Sequence, residues 1–341
     1  MSEILPIAVD ALGGDNAPEA VIDGAVEAGI PVIAVGSEES LSHFLKKAGN
    51  PGNISLQHAE SVIGMDENPL QAIRTKKDSS LMVAIRLVKE GKAAGVMSAG
   101  NTGALTMGAT MILGRLPEVS RPAAAITVPT PSGQSLLLDA GAAAECYAED
   151  LVNYAIMGST YARLLWGISN PRIGLLSIGE EESKGSRQAR DAHKLLKASG
   201  LNFIGNVQGS DLGSTAADVI VTDGFTGNVA LKVAEGVGTL ILNIVRDELK
   251  ASSGLQKIAA LLLKPLFQRL KNRLDYREYG GGALMGVSGN VVIAHGKSDK
   301  HAIASAIRLA QDLARSDLLH QLEMSLKQYH GAREMTGKRG S

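Results

Sequence analysis

Short apolar runs, each followed by a helical pattern, recur along the chain. This alternation restricts the fold more than any single motif. Ile7-Ala8-Val9 ends in Asp10, and Val32-Ile33-Ala34-Val35 leads through Gly36 into a helix from about Ser37. Ile54-Ser55-Leu56 is a third run, and Ser79 to Glu90 sets Leu81, Met82, Ile85 and Val88 at helical spacing. Ala93 to Met97 precedes a glycine loop and the apolar-rich segment Leu105 to Leu113. Ala124–Val128 and Ser135–Leu138 are further strand candidates, before a long helix from about Ala148 to Leu165. Ile173–Ser177 and Val219–Val221 each lead into another helical pattern. Strands alternating with helices specify an α/β protein with a largely parallel sheet. Near-continuous apolar strands fit a sheet covered on both faces.

Composition narrows the class. A chain of 341 residues suffices for one large domain. Aromatics are 3%, so stacking platforms for single-stranded nucleic acid are scarce. The net charge of −1 gives no basic field for a polyanion, and no nucleic-acid partner is expected. Cys146 is the single cysteine, which excludes an intrachain disulfide and suits a reducing cytoplasm. Met1 to Pro6 lacks the regions of a signal peptide, and no apolar run reaches the ~18–20 residues of a membrane span. No Cys/His cluster has zinc spacing, so no metal is expected. The tail from Gly331 to Ser341 is expected to fray.

Polar, glycine-rich junctions fall where open α/β sheets bind ligands, at the carboxyl ends of strands. The most telling is Ser98-Ala99-Gly100-Asn101-Thr102-Gly103-Ala104. A strand, a tight loop and a helix in this order aim unpaired backbone N–H groups at the loop's occupant, and the macrodipole favours an anion there. Asn101 and Thr102 either cap the helix or bind a ligand oxygen. The others are Asp10-Ala11-Leu12-Gly13-Gly14-Asp15-Asn16, Gly179 to Ser186, and Asp223-Gly224-Phe225-Thr226-Gly227-Asn228. None carries the G-x-G-x-x-G dinucleotide spacing. Together, facing one sheet edge, they predict a phosphate-sized polar site.

The motifs also carry a resemblance. Val9 to Asp15, Arg74-Thr75-Lys76-Lys77-Asp78-Ser79-Ser80, Ser98 to Ala104, Gly179 to Gly185, Asp223 to Val229 and Ala294-His295-Gly296-Lys297-Ser298 stand in this order. From about Ile7 to His330 the chain resembles bacterial phosphate acyltransferases, the acyl-acyl carrier protein:phosphate transacylases of phospholipid synthesis. The resemblance implies a three-layer Rossmann-like sheet, as in isocitrate and isopropylmalate dehydrogenases and phosphotransacetylases. It implies one catalytic domain over 1–330 and a cytoplasmic homodimer held peripherally on the inner face of the cell membrane. Acyl carrier protein and inorganic phosphate would be its substrates, and a glycerol-3-phosphate acyltransferase its downstream partner. Three departures stand out. Leu12 replaces a usual methionine, Ala142-Ala143-Ala144-Glu145 replaces Ala-Asn-Val-Asp, and Tyr279 to Leu284 lacks a usual proline, which predicts a more mobile loop there.

The chemistry assigns the roles. Phosphate attacks a thioester carbonyl and a thiolate leaves. The reaction needs a seat for a dianion, donors for the oxyanion and alignment of two substrates. Thiolate leaves readily and phosphate is already nucleophilic, so neither metal nor cofactor nor covalent intermediate is required. The catalytic candidates are Lys184, Asn228 and His295. Lys184 holds phosphate or pairs with its neighbouring glutamates. Asn228 donates to the carbonyl oxygen. His295 is a structural histidine or a general acid for the departing thiol. The substrate-binding set is Asp10, Gly13, Gly14, Asp15, Lys76, Lys77, Asn101, Thr102, Gly103, Asp223, Thr226 and Gly227. Its aspartates orient loops, since they would repel a dianion. Lys76 and Lys77 are either a solvated pair or a phosphate or carrier-protein contact. Residues 254–278 read as an inserted amphipathic, cationic helical hairpin bent at Pro265, with Leu262, Leu263, Leu266 and Phe267 as membrane contacts. Dimerisation and carrier-protein docking are its other uses. Rival functions are a coenzyme A-dependent phosphotransacetylase and a non-catalytic membrane scaffold of lipid synthesis.

Overall fold

The structure, a computed structural model of the chain, describes residues 5–131, 133–251 and 281–337. In chain order the elements begin with β1 (Ile7–Asp10), α1 (Glu19–Ala28), β2 (Val32–Gly36), α2 (Glu38–Lys47), β3 (Ile54–His58), α3 (Pro69–Thr75) and α4 (Ser80–Lys89). There follow β4 (Gly95–Ser98), α5 (Thr102–Ile112), β5 (Ala123–Thr130), β6 (Gly133–Leu138), α6 (Ala148–Trp166), β7 (Ile173–Leu176) and α7 (Arg187–Lys197). The rest are β8 (Phe203–Val207), β9 (Val219–Val221), α8 (Gly224–Ala251), β10 (Gly282–Met285), β11 (Val291–Ile293), α9 (Lys300–Arg315) and α10 (Leu318–Gly337). The α/β alternation expected from the apolar runs is present.

All the described strands join one sheet, in the order β3-β2-β1-β4-β11-β10-β5-β6-β9-β7-β8. Burial alternates by face, as the period of a strand requires. Ile7 and Val9 enter one apolar cluster, with Ile22 of α1, Tyr154 of α6 and Ile307 of α9. Ala8 enters a second, with Ile73 of α3, Ile85 of α4 and Leu105 of α5. Helices therefore cover both faces, which gives three layers and explains why the central strands read as unbroken apolar runs.

The structure corrects four expectations. The loops do not leave strands of one direction: β10 is antiparallel to β11 and β5, and β5 to β6. Strands β1, β4 and β11 therefore run one way, and β6, β9 and β7 the other. The segment near Gly282 is no mobile loop. It is the buried strand β10, where a Cβ on Gly282 would lie 2.5 Å from Ile126 Cδ1, so glycine lets the neighbouring strand close in. The chain past Gly331 continues as helix to Gly337. The segment Gly224–Leu249 is by length and composition apolar enough to cross a membrane, although Lys232, Glu235, Arg246, Asp247 and Glu248 interrupt it. The 254–278 hairpin, with Leu262, Leu263, Leu266 and Phe267, lies outside the described residues.

Candidate functional site

The first rim collects the loops after β1, β4 and β11. The Asp10 carboxylate is buried and accepts the Ser98 hydroxyl at 2.7 Å, and Ser98 Oγ in turn accepts the Gly100 N–H at 3.0 Å. Burial pushes this carboxyl above its ordinary range, and the hydrogen bonds oppose it. A Cβ on Gly13 would stand 2.3 Å from Asp10 Oδ2 and 3.0 Å from the Gly100 nitrogen. Only glycine lets the two loops close on that carboxylate. Gly14 has φ +109 and packs on Ala99, and the Asp15 N–H donates to the Gly296 carbonyl at 2.8 Å. Asp10, Gly13, Gly14 and Asp15 thus fasten three loops together.

Asn101 turns out to be fully engaged. Its side-chain oxygen caps α5 by accepting the Ala104 N–H at 3.0 Å. Its Nδ2 donates toward the carbonyls of Gly64, Met65 and Glu67 at 3.2, 3.1 and 3.0 Å. The side chain is a tether for residues 64–67 rather than a ligand for phosphate. What α5 still offers is its first turn: the N–H groups of Thr102 and Gly103 cannot be satisfied within the helix. Thr102 is exposed. Lys76 is bound elsewhere, to Glu67 at 2.5 Å and to the Val62 carbonyl at 2.9 Å. Lys77 is exposed, and its carbonyl accepts from Arg86 at 2.7 Å. The Lys76 ammonium is thus committed to the segment that Asn101 tethers.

The second rim collects the loops after β6, β9 and β7, which are adjacent and parallel. Its hub is Asp139, which no sequence motif singled out. The carboxylate is fully buried and accepts N–H groups from Ala124 (2.8 Å), Gly141 (2.9 Å), Ala142 (2.8 Å) and Ala143 (2.7 Å). Burial pushes it up, and these amides hold it down. The first turn of α8 lies on the loop so formed. Gly224 donates to the Ala143 carbonyl at 3.0 Å, and a Cβ on Gly227 would fall 1.9 Å from the Asp139 carbonyl oxygen. Asp223 caps α8, accepting the Thr226 N–H at 2.9 Å and its hydroxyl at 2.8 Å. Asn228 is exposed, and an added Cβ on Gly141 would meet its side chain at 3.3–3.5 Å. Asp223, Thr226 and Gly227 therefore build the turn that presents Asn228.

Lys184 stands in the loop after β7. It is exposed, and among the described residues its ammonium makes no ion pair. The neighbouring Glu182 is taken by Lys197 instead. Cys146 lies below, with Gln188 donating to its carbonyl at 2.7 Å and to its Sγ at 3.0 Å. Burial first, then Asp150, Asp223 and Asp139, push the thiol up to about 12, so it is no nucleophile at neutral pH.

Helix α8 joins the two rims. It starts at Gly224, and Lys232 follows about 12 Å along its axis. There Lys232 Nζ lies 3.3 Å from His295 Nε2, just past the end of β11. This contact brings the helix that follows β9 against the loop that follows β11, although the two strands run in opposite directions. Burial first, and the Lys232 ammonium second, hold the His295 ring below its ordinary value, so it is uncharged at neutral pH. Lys232 escaped the sequence reading because it stands inside an apolar helix. Asp139 did leave a signal: an acid set directly between the apolar run Ser135–Leu138 and a glycine.

Among the described residues no group of His, Cys, Asp and Glu side chains is placed to hold a metal.

A family model described as fatty acid synthesis protein matches residues 5–321. The phosphate acyltransferase of Desulfitobacterium hafniense strain Y51 is 43% identical over 336 residues, covering 97% of this chain and all of the relative. That of Bacillus licheniformis is 44% identical over 330 residues, covering 95% and 99%, and that of Acidobacterium capsulatum 46% over 323 residues, covering 93% and 96%. Among solved structures, a phosphotransacetylase from Streptococcus pyogenes aligns with a TM-score of 0.63 at 16% identity, over 92% of this chain and 95% of that one. A branched-chain phosphotransacylase from Enterococcus faecalis aligns with a TM-score of 0.59 at 15% identity, over 92% and 100%. These structures share the fold. By the span of the family model and its identity to the curated relatives, the chain belongs to the fatty acid synthesis protein family, whose relatives named above are phosphate acyltransferases.

Proposed function

We propose that the chain transfers a fatty acyl group from an acyl carrier protein thioester to inorganic phosphate, giving an acyl phosphate for phospholipid synthesis. The observation that carries this reading is identity of 43–46% with phosphate acyltransferases over nearly the whole chain. A phosphate oxygen attacks the thioester carbonyl carbon. The C–S bond breaks, and sulfur leaves with the electron pair and takes up a proton. The N–H groups of Thr102 and Gly103 and the Lys184 ammonium seat the phosphate. The Asn228 side-chain amide donates to the carbonyl oxygen as it gains charge. His295, being uncharged, supplies a neutral N–H donor rather than an acidic imidazolium.

A second copy of the chain covers the outer face of α8, where Val233, Val237, Leu240, Ile241 and Ile244 are 49–59% exposed at helical spacing. Residues 254–278 bring the dimer to the inner membrane surface, beside the acyltransferase that consumes the product. The test incubates the purified chain with phosphate and either an acyl carrier protein thioester or a coenzyme A thioester, trapping acyl phosphate as the hydroxamate. Turnover of the first well above the second supports the reading. Preference for the second moves the chain to the phosphotransacetylases, and no turnover of either leaves the scaffold. A dimer by light scattering, and release from anionic vesicles on replacing Leu263 and Phe267 with Glu, check the rest.

A further inference from the structure

Two buried polar side chains outside every glycine-rich motif, Asn206 and His193, contact the loop that carries Lys184. Asn206 stands near the end of β8, the last strand of the sheet, and His193 in α7. Asn206 Nδ2 donates to the Gly179 carbonyl at 3.2 Å and to the Glu181 carbonyl at 2.9 Å. Both amide protons are spent on this loop, so it is Oδ1 that faces His193 Nδ1 at 2.9 Å. That oxygen only accepts, which fixes a His193 proton on Nδ1. The Glu181 carbonyl also accepts the Lys184 N–H at 3.0 Å. Asn206 and the Lys184 backbone therefore share one acceptor. The Lys184 stem lies on Gly179, where an added Cβ would stand 3.0 Å from Lys184 Cγ. At the far end of the loop Gly185 has φ +97 and closes on Ser177, whose Oγ an added Cβ would meet at 2.7 Å. Glu182, two residues before Lys184, is engaged by groups of α7: Lys197 binds it, and His193 Nε2 lies 3.6 Å away.

We propose that Asn206, with His193 behind it, is a positioning residue: it holds the Gly179–Gly185 loop so that the Lys184 ammonium meets the phosphate. The inference rests on the acyl-transfer reading and on the place of Lys184 in it. A lysine is a charge on a flexible stem, so its aim depends on how firmly its backbone is held. Donors in a site act through geometry, and a misplacement of about 1 Å can cost ~10²-fold in rate. Were Asn206 only a tie that steadies the edge strand, its loss would add to the loss of Lys184. A residue that acts through Lys184 has nothing left to do once that ammonium is gone.

The experiment is a double-mutant cycle in the full chain, reading kcat for phosphate-dependent release of thiol from an acyl carrier protein thioester. Asn206→Ala is expected to lower kcat by roughly 10- to 100-fold. In a Lys184→Ala background it should lower kcat by no more than about twofold. His193→Ala should fall in the same direction. His193→Asn, whose amide returns a donor to the Nδ1 position, should recover most of that loss. These two variants carry the test if Asn206→Ala does not fold. Losses that multiply in the double variant overturn the proposal, as does a His193→Asn enzyme that melts like wild type yet is no faster than His193→Ala. A second readout needs no turnover. Hydrogen exchange at the Lys184 amide should quicken roughly tenfold or more in Asn206→Ala, while β9 keeps its protection. Unchanged exchange there also overturns the proposal. If wild type turns over no thioester, the acyl-transfer reading falls, and exchange still decides whether Asn206 holds the loop.

Discussion

Asp139 should be the residue on which the second rim mechanically depends, and two substitutions separate that role from chemistry. The carboxylate is fully buried, with three amides on Oδ1 and the fourth, Ala143, on Oδ2. In Asp139→Asn the amide oxygen keeps the Oδ1 position and its three bonds, while Nδ2 faces the Ala143 N–H. The Ala143 N–H loses its acceptor to a group that itself only donates, and this buried donor-to-donor contact costs about 1–3 kcal/mol for each donor left unmade. Relief of a buried charge acts the other way, so a loss of about 1–2 kcal/mol is expected. Asp139→Ala strips the acceptor from all four amides. At roughly 1 kcal/mol or more each, the loss is about 4 kcal/mol. Because Ala143 also receives the first N–H of α8, the turn that carries Asn228 should loosen in both variants. Urea denaturation reads the stability, and turnover at low temperature reads the site. An Asn variant as stable as wild type yet inactive would refute the mechanical role, because the negative charge itself would then act on the substrate. An Ala variant within ~1 kcal/mol of wild type would refute the accounting of the four bonds.

Other expectations follow from the same geometry. Lys184→Ala should lose ~10²–10³-fold in kcat with an unchanged melting temperature, since its ammonium supports no ion pair among the described residues. Asn101→Ala should instead lose stability by about 2–4 kcal/mol, because it removes a helix cap and leaves the carbonyls of residues 64–67 without their donor, and its activity should track the folded fraction. Asn228→Ala should lower kcat without that loss of stability. In Lys232→Met the His295 pKa should rise, because a neighbouring cation that disfavours imidazolium is gone. Lys297 still lowers it, and Glu235 and Asp15 still raise it. An NMR titration of the His295 ring should therefore move to higher pH, and an unmoved or lower midpoint would contradict the contact.

What could be read from the sequence was whatever is local. Ile7–Asp10, the Asn101 cap and the Asp223 turn are each set by residues within a few positions of one another, and each lies where the apolar pattern and the capping chemistry put it. Strand β10 was missed because Gly281 and Gly282 look like a loop. Only the structure shows the close neighbours, Ile293 and Ile126, that exclude a side chain there. The reversal between β11 and β6 leaves no trace in any apolar run, because parallel and antiparallel neighbours bury the same residues. Lys76 shows the limit from the other side. It stands in a matching motif, yet its partner, Glu67, is set by a fold of the chain that no motif encodes.

The place of β10 and β11 in the sheet bears on how the molecule comes into being. They lie between β4 and β5, which are consecutive strands in the chain. During synthesis the first half of the protein emerges with two inner strand edges bare, those of β4 and β5. They wait for residues 282–293 to arrive. Bare inner edges of this kind are the surfaces on which unfinished chains pair wrongly. A chain stopped short of β10 would lose the seam of its sheet and not merely a tail. The rim that β11 carries is then among the last features to form, so a nascent chain holds no finished site until it is nearly whole.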